Sequence, residues 1–330
     1  MNFKKLTALL MTGAVSASLL AGCGSTGTTE KTASKGDKVY KIGICQLVQH
    51  EALDAATKGY KDALTELLGD NVEFDEQNAA GDSATCATIA NQFVSAGVDM
   101  IFANATPALQ AAAAATADIP IVATSITDYA TALDIDDWTG ATGRNITGTA
   151  DLAPLNEQAA MFKELLPDAK TVGLLYCSSE ANSKYQIDVV SEELAGLGYE
   201  TKTYAFADSN DVAAITTQAC SEVDALYIPT DNTAAANTEI ISNIANPANI
   251  PVIPGEEGIC KGCGIATLSI DYYNIGKVAG EMAYEILVNG ADPSTMEIKF
   301  ADELTKKYVP ERTEKLGITV PDGYEELVIE

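Results

Sequence analysis

From Val39 onward the chain alternates between short apolar runs and longer stretches whose apolar residues recur at helical spacing. VYKIGIC (39–45), VDMIFAN (98–104) and IPIVAT (119–124) read as strands, with helices to about Leu68 and through ALQAAAAATA between them. A second series runs TVGLLYC (171–177), a helix to about Leu197, YETKTYAF (199–206), VDALYIP (223–229), a helix, and IPVIPG (250–255). Near-continuous apolar strands separated by amphipathic helices predict an α/β protein with parallel sheets covered on both faces.

The two series can be laid on each other. Gly43 of KIGIC matches Gly173 of TVGLL, GDS (81–83) matches ADS (207–209), VDMIFANATP matches VDALYIPTDN, and DIPIV matches NIPVI. The offsets stay between 125 and 131 and the order is kept, which predicts two doubly wound lobes of one design.

Ligands of such sheets bind outside the carboxyl ends of the strands, where helix N-termini offer free N–H groups. Two such ends facing each other make a cleft, and the 125 offset sets Thr106 opposite Asp231. One lobe then presents a hydroxyl with backbone donors and the other an anion, an arrangement that suits a zwitterion. Each residue also has a local role open to it. Thr106, before Pro107 and Ala108, can cap its helix, and so can Asp231 or Asn232 in PTDN. Here the cap is given to Asn232 or Thr233, and Asp231 to a ligand ammonium, whose desolvation only a buried anion offsets.

The beginning of the chain sets the compartment. Lys4 and Lys5 precede an apolar run, Leu6 to Leu20, that Thr7, Thr12, Gly13, Ser16 and Ser18 interrupt, too short for the ~20 residues of a membrane span. LAGC follows, ending at Cys23, and the whole resembles the signal peptide (1–22) and lipidation motif of a bacterial lipoprotein. That resemblance implies a diacylated Cys23 and a protein held by its lipid on the outer face of the cell membrane, as in Gram-positive cells. Residues 23–38, small and polar, read as a flexible tether.

Composition narrows the function. Forty-seven acids against twenty Lys and Arg give a formal charge of −27, which repels nucleic acid and anionic lipid surfaces. Beyond Cys23 there are six cysteines. Cys45, Cys177 and Cys220 sit in apolar patterns and read as small buried hydrophobes, whereas Cys260 and Cys263, in GICKGCG, are placed in a Gly-rich loop as a local disulfide or two free thiols. Zinc would need two more ligands of similar spacing, and His50 is the one histidine, so no metal is expected. No GxSxG or HExxH is present either, so an esterase or thiol oxidoreductase would rest on CKGC alone.

Read together, the motifs resemble the solute-binding lipoproteins of ABC importers, in the family of tryptophan- and tyrosine-binding proteins. The marks are Q-x3-H-x2-LD (Gln46, His50, Leu53, Asp54), AxGD (Ala79 to Asp82), Ala105 to Pro107, the TD turn (Thr127, Asp128) and RNITG (Arg144 to Gly148). LY with E-x-NS (Leu175, Tyr176, Glu180, Asn182, Ser183), the DN pair (Asp231, Asn232) and DYYNIG (Asp271 to Gly276) complete them. Two positions depart: Glu51 stands where the family usually has proline, and Tyr129 and Ala130 where it often has Pro-Val.

The resemblance implies a bilobed periplasmic-binding-protein type I fold that closes on a free amino acid, often aromatic. It implies no cofactor and no catalysis, a monomer, and ABC permease and ATPase subunits as partners. Lobe 1 is expected to hold 39–150 and 269–293, and lobe 2 to hold 151–268 and 294–330, hinged near Asn145 to Leu152 and Leu268 to Tyr272. The candidate ligand-binding residues are Gln46, His50, Thr106, Pro107, Ala108, Ser125, Thr127, Asp128, Glu180, Asn182, Ser183, Asp231, Asn232 and Asp271. Tyr129, Tyr185 and Tyr272 are the candidate flat neighbours of an aromatic ligand. A sugar, a nucleoside or a branched-chain amino acid is the alternative solute, and a ligand-sensing subunit the alternative role; the single Trp argues against a sugar.

Overall fold

The computed structural model describes residues 38–301 and 303–329. The leader, Cys23 and the tether through Asp37 lie outside them.

The first half forms β1 (Tyr40–Gln46), α1 (Glu51–Leu68), β2 (Val72–Asn78), α2 (Ser83–Ala96), β3 (Met100–Asn104), α3 (Thr106–Ala115), β4 (Ile121–Ile126), α4 (Tyr129–Leu133) and β5 (Ile146–Ala150). Their strands make one parallel sheet in the order β2-β1-β3-β4-β5. The chain then builds α5 (Leu155–Leu165), β6 (Thr171–Cys177), α6 (Ala181–Gly196), β7 (Glu200–Phe206), α7 (Val212–Cys220), β8 (Ala225–Ile228), α8 (Asn232–Ala235), α9 (Thr238–Ala248), β9 (Val252–Pro254) and α10 (Glu257–Cys263). Here the order is β7-β6-β8-β9, which repeats β2-β1-β3-β4 of the first sheet. The duplication read from the offsets is therefore structural: Ile42 pairs with Met100 and Val172 with Ala225 at equivalent points of the two sheets.

β10 (Ala266–Ser269) leads to α11 (Tyr272–Asn289), and β11 (Thr305–Tyr308), α12 (Pro310–Leu316) and β12 (Glu325–Glu326) end the chain. β11 runs antiparallel to β10 and parallel to β12 in a small third sheet.

α11 belongs to lobe 1 because its small residues let it touch α1 backbone to backbone. A Cβ added at Gly276 would lie 2.0 Å from the Ala56 carbonyl oxygen, and one at Gly59 would lie 2.1 Å from that of Tyr273. Only Gly fits at such a crossing. Ala279 and Ala283 then close the core of Ile42, Ile44, Tyr60, Met100 and Phe102, in which the Tyr60 and Phe102 rings stack at 3.7 Å.

The lobes are joined by 151–154, by 270–271 and, third, after Lys299. The third lies later than the expected boundary before 294. Lys299 N–H donates to the Gly148 carbonyl, and Ala150 N–H donates back to that of Lys299, so 296–299 extend the edge of the lobe 1 sheet.

Three further expectations change. β2 and β5 are strands of the first sheet that apolar runs do not mark: β2 is an edge strand with only Val72 and Phe74 apolar, and β5 falls within the segment expected as a hinge. CKGC is the end of α10 rather than a loop, and both its thiols are free and buried. No helix among the described residues is long and apolar enough to cross a membrane.

Candidate ligand-binding site between the lobes

The carboxyl ends of the two large sheets face each other. On the lobe 1 side, non-glycine residues at positive φ include Ala105 (89°) after β3 and Ser125 (56°) at the end of β4. Such backbone is strained and persists where the surrounding structure over-determines it, commonly at sites that bind. Ala105 occupies the N-cap position of α3 without an oxygen to offer, so the first-turn N–H groups of buried Thr106 and Ala108 lack the usual cap. The Ser125 hydroxyl is buried with no hydrogen-bond partner among the described residues.

The lobe 2 side is built on carboxylates. Asp231 is 1% exposed; its Oδ1 accepts from Ala234 N–H at 2.8 Å and its Oδ2 from Cys177 N–H at 2.6 Å. It therefore caps α8 and ties it to the end of β6, correcting the assignment of the cap to Asn232 or Thr233. Glu180 reaches the same helix from the start of α6, accepting from the N–H groups of Asn232 (3.0 Å) and Thr233 (2.9 Å) and from both their side chains. Burial and the neighbouring Glu180 charge raise the Asp231 carboxyl well above the ordinary range.

Asp151, the first residue after β5, is held differently. Its partners are two hydroxyls, Tyr272 at 2.8 Å and Thr127 at 3.4 Å, and burial pushes its carboxyl up to about 6. Glu256 caps α10 through the N–H groups of Gly258 (2.7 Å) and Ile259, and burial raises it to about 7.

The lobes also touch directly. Asn232 donates its amide to Glu180, so its Oδ1 is an acceptor and His50 Nε2, 3.2 Å away, carries the hydrogen. Burial lowers the His50 pKa, in keeping with a neutral ring. Thr127 and Thr230 hydroxyls meet at 3.3 Å, and Lys261 pairs with Glu51 across the gap.

Between these contacts lies a cavity of about 10 Å³, room for one water molecule. Asp151, Asp231 and Glu256 line it, and among the described residues no Lys or Arg does. The lobes must part to admit anything larger. Cavities of about 400 and about 740 Å³ flank it.

Six of the candidate residues line this cavity: His50, Ser125, Thr127, Asn182, Asp231 and Asn232. Eight do not. Gln46 is spent inside lobe 1 on Val48, Asp54 and Thr57. Thr106, Pro107 and Ala108 are buried at the start of α3, while Asp128 caps α4 and Asp271 caps α11. Glu180 and Ser183 stand behind the wall, Glu180 on α8 and Ser183 beside Asp231. Of the tyrosines only Tyr272 lines the cavity; Tyr129 is fixed in the lobe 1 core by the carbonyls of Ala123 and Thr149.

Sequence reading missed Asp151, Thr230 and Glu256. Glu256 carried the same signal as Asp231, an acid where a buried strand gives way to a helix, in IPVIPGEEG. Asp151 carried a fainter one, an acid directly after the apolar end of a strand in a segment taken only as a hinge.

The chain is 38% identical over 291 residues to a Clostridioides difficile protein named tyrosine-binding protein, covering 86% of this chain and 84% of that one. A Streptococcus pneumonia ABC domain in complex with L-Trp superposes with a TM-score of 0.84 at 32% identity, covering 88% of this chain and all of that one. The ligand-free, open structure of a Clostridium difficile substrate binding protein with adhesive properties is 36% identical over the same shares, yet its TM-score is 0.66. The higher score thus goes with the L-Trp complex and the lower one with the open, ligand-free structure, although the latter is the more similar in sequence. A leucine binding protein from Thermotoga maritima, 17% identical with a TM-score of 0.54 over 76% of this chain and 82% of that one, shares the type I periplasmic-binding-protein fold. The family model described as ABC transporter substrate binding protein matches residues 41–327. The chain belongs to that family of ABC transporter substrate-binding proteins.

Proposed function

We propose that this chain captures a free amino acid with an aromatic side chain between its lobes and delivers it, in the closed form, to the permease of an ABC importer. It works by binding and release and carries out no chemistry of its own. Its place is outside the cytoplasm, held to the membrane by lipid on Cys23.

The observation that carries this reading is the charge pattern of the interlobe cavity: among the described residues, buried carboxylates from the hinge and from lobe 2 line it and no lysine or arginine does. Buried anions without cations are costly, and a ligand ammonium offsets that cost. Asp151 is the better acceptor, because its partners are two hydroxyls while both oxygens of Asp231 already hold backbone N–H groups. The orphaned Ser125 hydroxyl, on the cavity wall, offers a donor to the ligand carboxylate. Closure then follows from contacts that only the shut form completes. The relatives named for tyrosine binding and solved with L-Trp support an aromatic side chain.

The test is a calorimetric and thermal-shift panel of amino acids, sugars and nucleosides on the chain from Gly24 onward. Tight binding of tyrosine or tryptophan is expected. Binding of a sugar or nucleoside with no response to any amino acid would overturn the proposal.

A further inference from the structure

The interlobe cavity is closed at one end and open at the other. Ser125, Thr127, Asp151, Asn182, Thr230 and Asp231 line it and border neither flanking cavity. Part of its wall opens outward: Ala52 and Tyr272 are shared with the cavity of about 400 Å³, His50 and Ala235 with that of about 740 Å³. Among the described residues, Glu256 alone faces all three spaces. On the amino-acid reading above, on which this inference rests, the ammonium and carboxylate occupy the closed polar end. The side chain then runs along Ala52, Ala235 and Tyr272 and ends beside Glu256.

The polar groups on that shared wall, Glu256, His50 and Tyr272, offer acceptors there, while Lys261 and Lys307 of the flanking cavities are paired with Glu51 and Glu257. Glu256 is 4% exposed and uses one site on each oxygen for the Gly258 and Ile259 N–H groups, which leaves two acceptor sites. His50 commits its Nε2 hydrogen to Asn232 and keeps an acceptor at Nδ1. The Tyr272 hydroxyl gives its hydrogen to Asp151. We infer that Glu256 is a specificity residue: it reads a neutral hydrogen-bond donor at the tip of the ligand's side chain, a phenol O–H or an indole N–H, and so separates tyrosine and tryptophan from phenylalanine and the aliphatic amino acids. A site that leaves a buried carboxylate unmatched rejects the analogue lacking the donor.

The experiment compares dissociation constants for L-tyrosine, O-methyl-L-tyrosine, L-phenylalanine, L-tryptophan, 1-methyl-L-tryptophan and L-lysine on the wild-type chain and on Glu256→Gln. In the wild type, removing the donor from the preferred ligand is expected to weaken binding at least about tenfold. In Glu256→Gln that ratio is expected to fall to within about threefold, with phenylalanine's own affinity little changed. Equal wild-type affinities for tyrosine and phenylalanine, and for tryptophan and its 1-methyl form, overturn the inference; so does a preference for lysine, or a ratio that survives in Glu256→Gln. If Glu256→Gln does not fold, tyrosine against O-methyltyrosine and tryptophan against 1-methyltryptophan on the wild type decide alone. Failure of every amino acid to bind would instead strike the proposed function.

Discussion

Tyr272 donates its phenol hydrogen to Asp151 Oδ2 at 2.8 Å, and this bond ties the first passage between the lobes to the end of the second. On the proposed function, the carboxylate that takes the ammonium is held where the lobes join, so closing the lobes would also set that charge in place. Asp151→Asn removes the charge and keeps the shape. It is expected to weaken amino-acid binding by about 2–5 kcal/mol, as loss of a buried charge partner does. It should also raise the melting temperature of the ligand-free protein, because a buried anion disappears. Calorimetry and thermal unfolding measure the two effects, and unchanged affinity would move the ammonium elsewhere.

The raised carboxyls fix a sign for the pH dependence. Asp151 at about 6 and Glu256 at about 7 hold protons in the folded chain that the unfolded chain, with ordinary values near 3.9 and 4.3, has released. The folded state binds more protons between about pH 4 and 7, so ligand-free stability falls as pH rises through that window. His50, lowered by burial, opposes this below about pH 6.5, where the unfolded chain takes a proton that the folded ring resists. Asp62 and Asp99, lowered beside lysines, lose their contribution only below about pH 4. The melting temperature should therefore rise on going from about pH 8 to about pH 6.5, chiefly through Glu256, and a saturating amino acid should remove the Asp151 contribution, which sets in near pH 6, by keeping that carboxylate charged. A flat ligand-free profile would contradict the burial of these groups.

Asp231→Asn is expected to lower stability as well as affinity. One amide oxygen cannot accept from both Cys177 and Ala234, and the amide nitrogen would face an N–H group. A loss of about 1–3 kcal/mol, read from chemical denaturation, is expected for an orphaned buried donor.

Glu51→Pro restores the residue usual in the resembling family and removes the pairing of Glu51 with Lys261 across the gap. The side chains are 57% and 30% exposed, so the pair is worth less than about 1 kcal/mol. The ligand off-rate is expected to rise by no more than about fivefold, and adding salt to the wild type should reproduce most of that change. Stopped-flow release of ligand at two ionic strengths checks it.

Gly276→Val should be among the most damaging substitutions far from the cleft. Its Cβ would stand where the Ala56 carbonyl is, so α11 would have to leave α1. A loss of about 3 kcal/mol or more, the scale of severe overpacking, is expected in urea unfolding.

The repeat and most of the strands were legible because buried parallel strands are apolar throughout: TVGLLYC coincides with β6 to the residue. β2 was lost because an edge strand of sequence VEFDEQN carries solvent-facing acids that mask its period. At the site, PTDN was legible as a place but not as a geometry. Whether Asp231 caps a helix, holds a strand end or meets a ligand depends on what Cys177 and Glu180 do, 54 and 51 residues away in the chain. Asp151 was hidden for the same reason, since nothing local shows that Tyr272 will come to meet it.

The return of α11 to lobe 1 also orders assembly in time. Ile42, Ile44, Met100 and Phe102 are made early, yet the face they form is covered by Ala279 and Ala283, made after the four strands of the second sheet are complete. A chain growing from its N-terminus therefore carries an open apolar face through most of its synthesis. The lobe begun first is the one finished later, and a shielding factor acting on the nascent chain would find its target there.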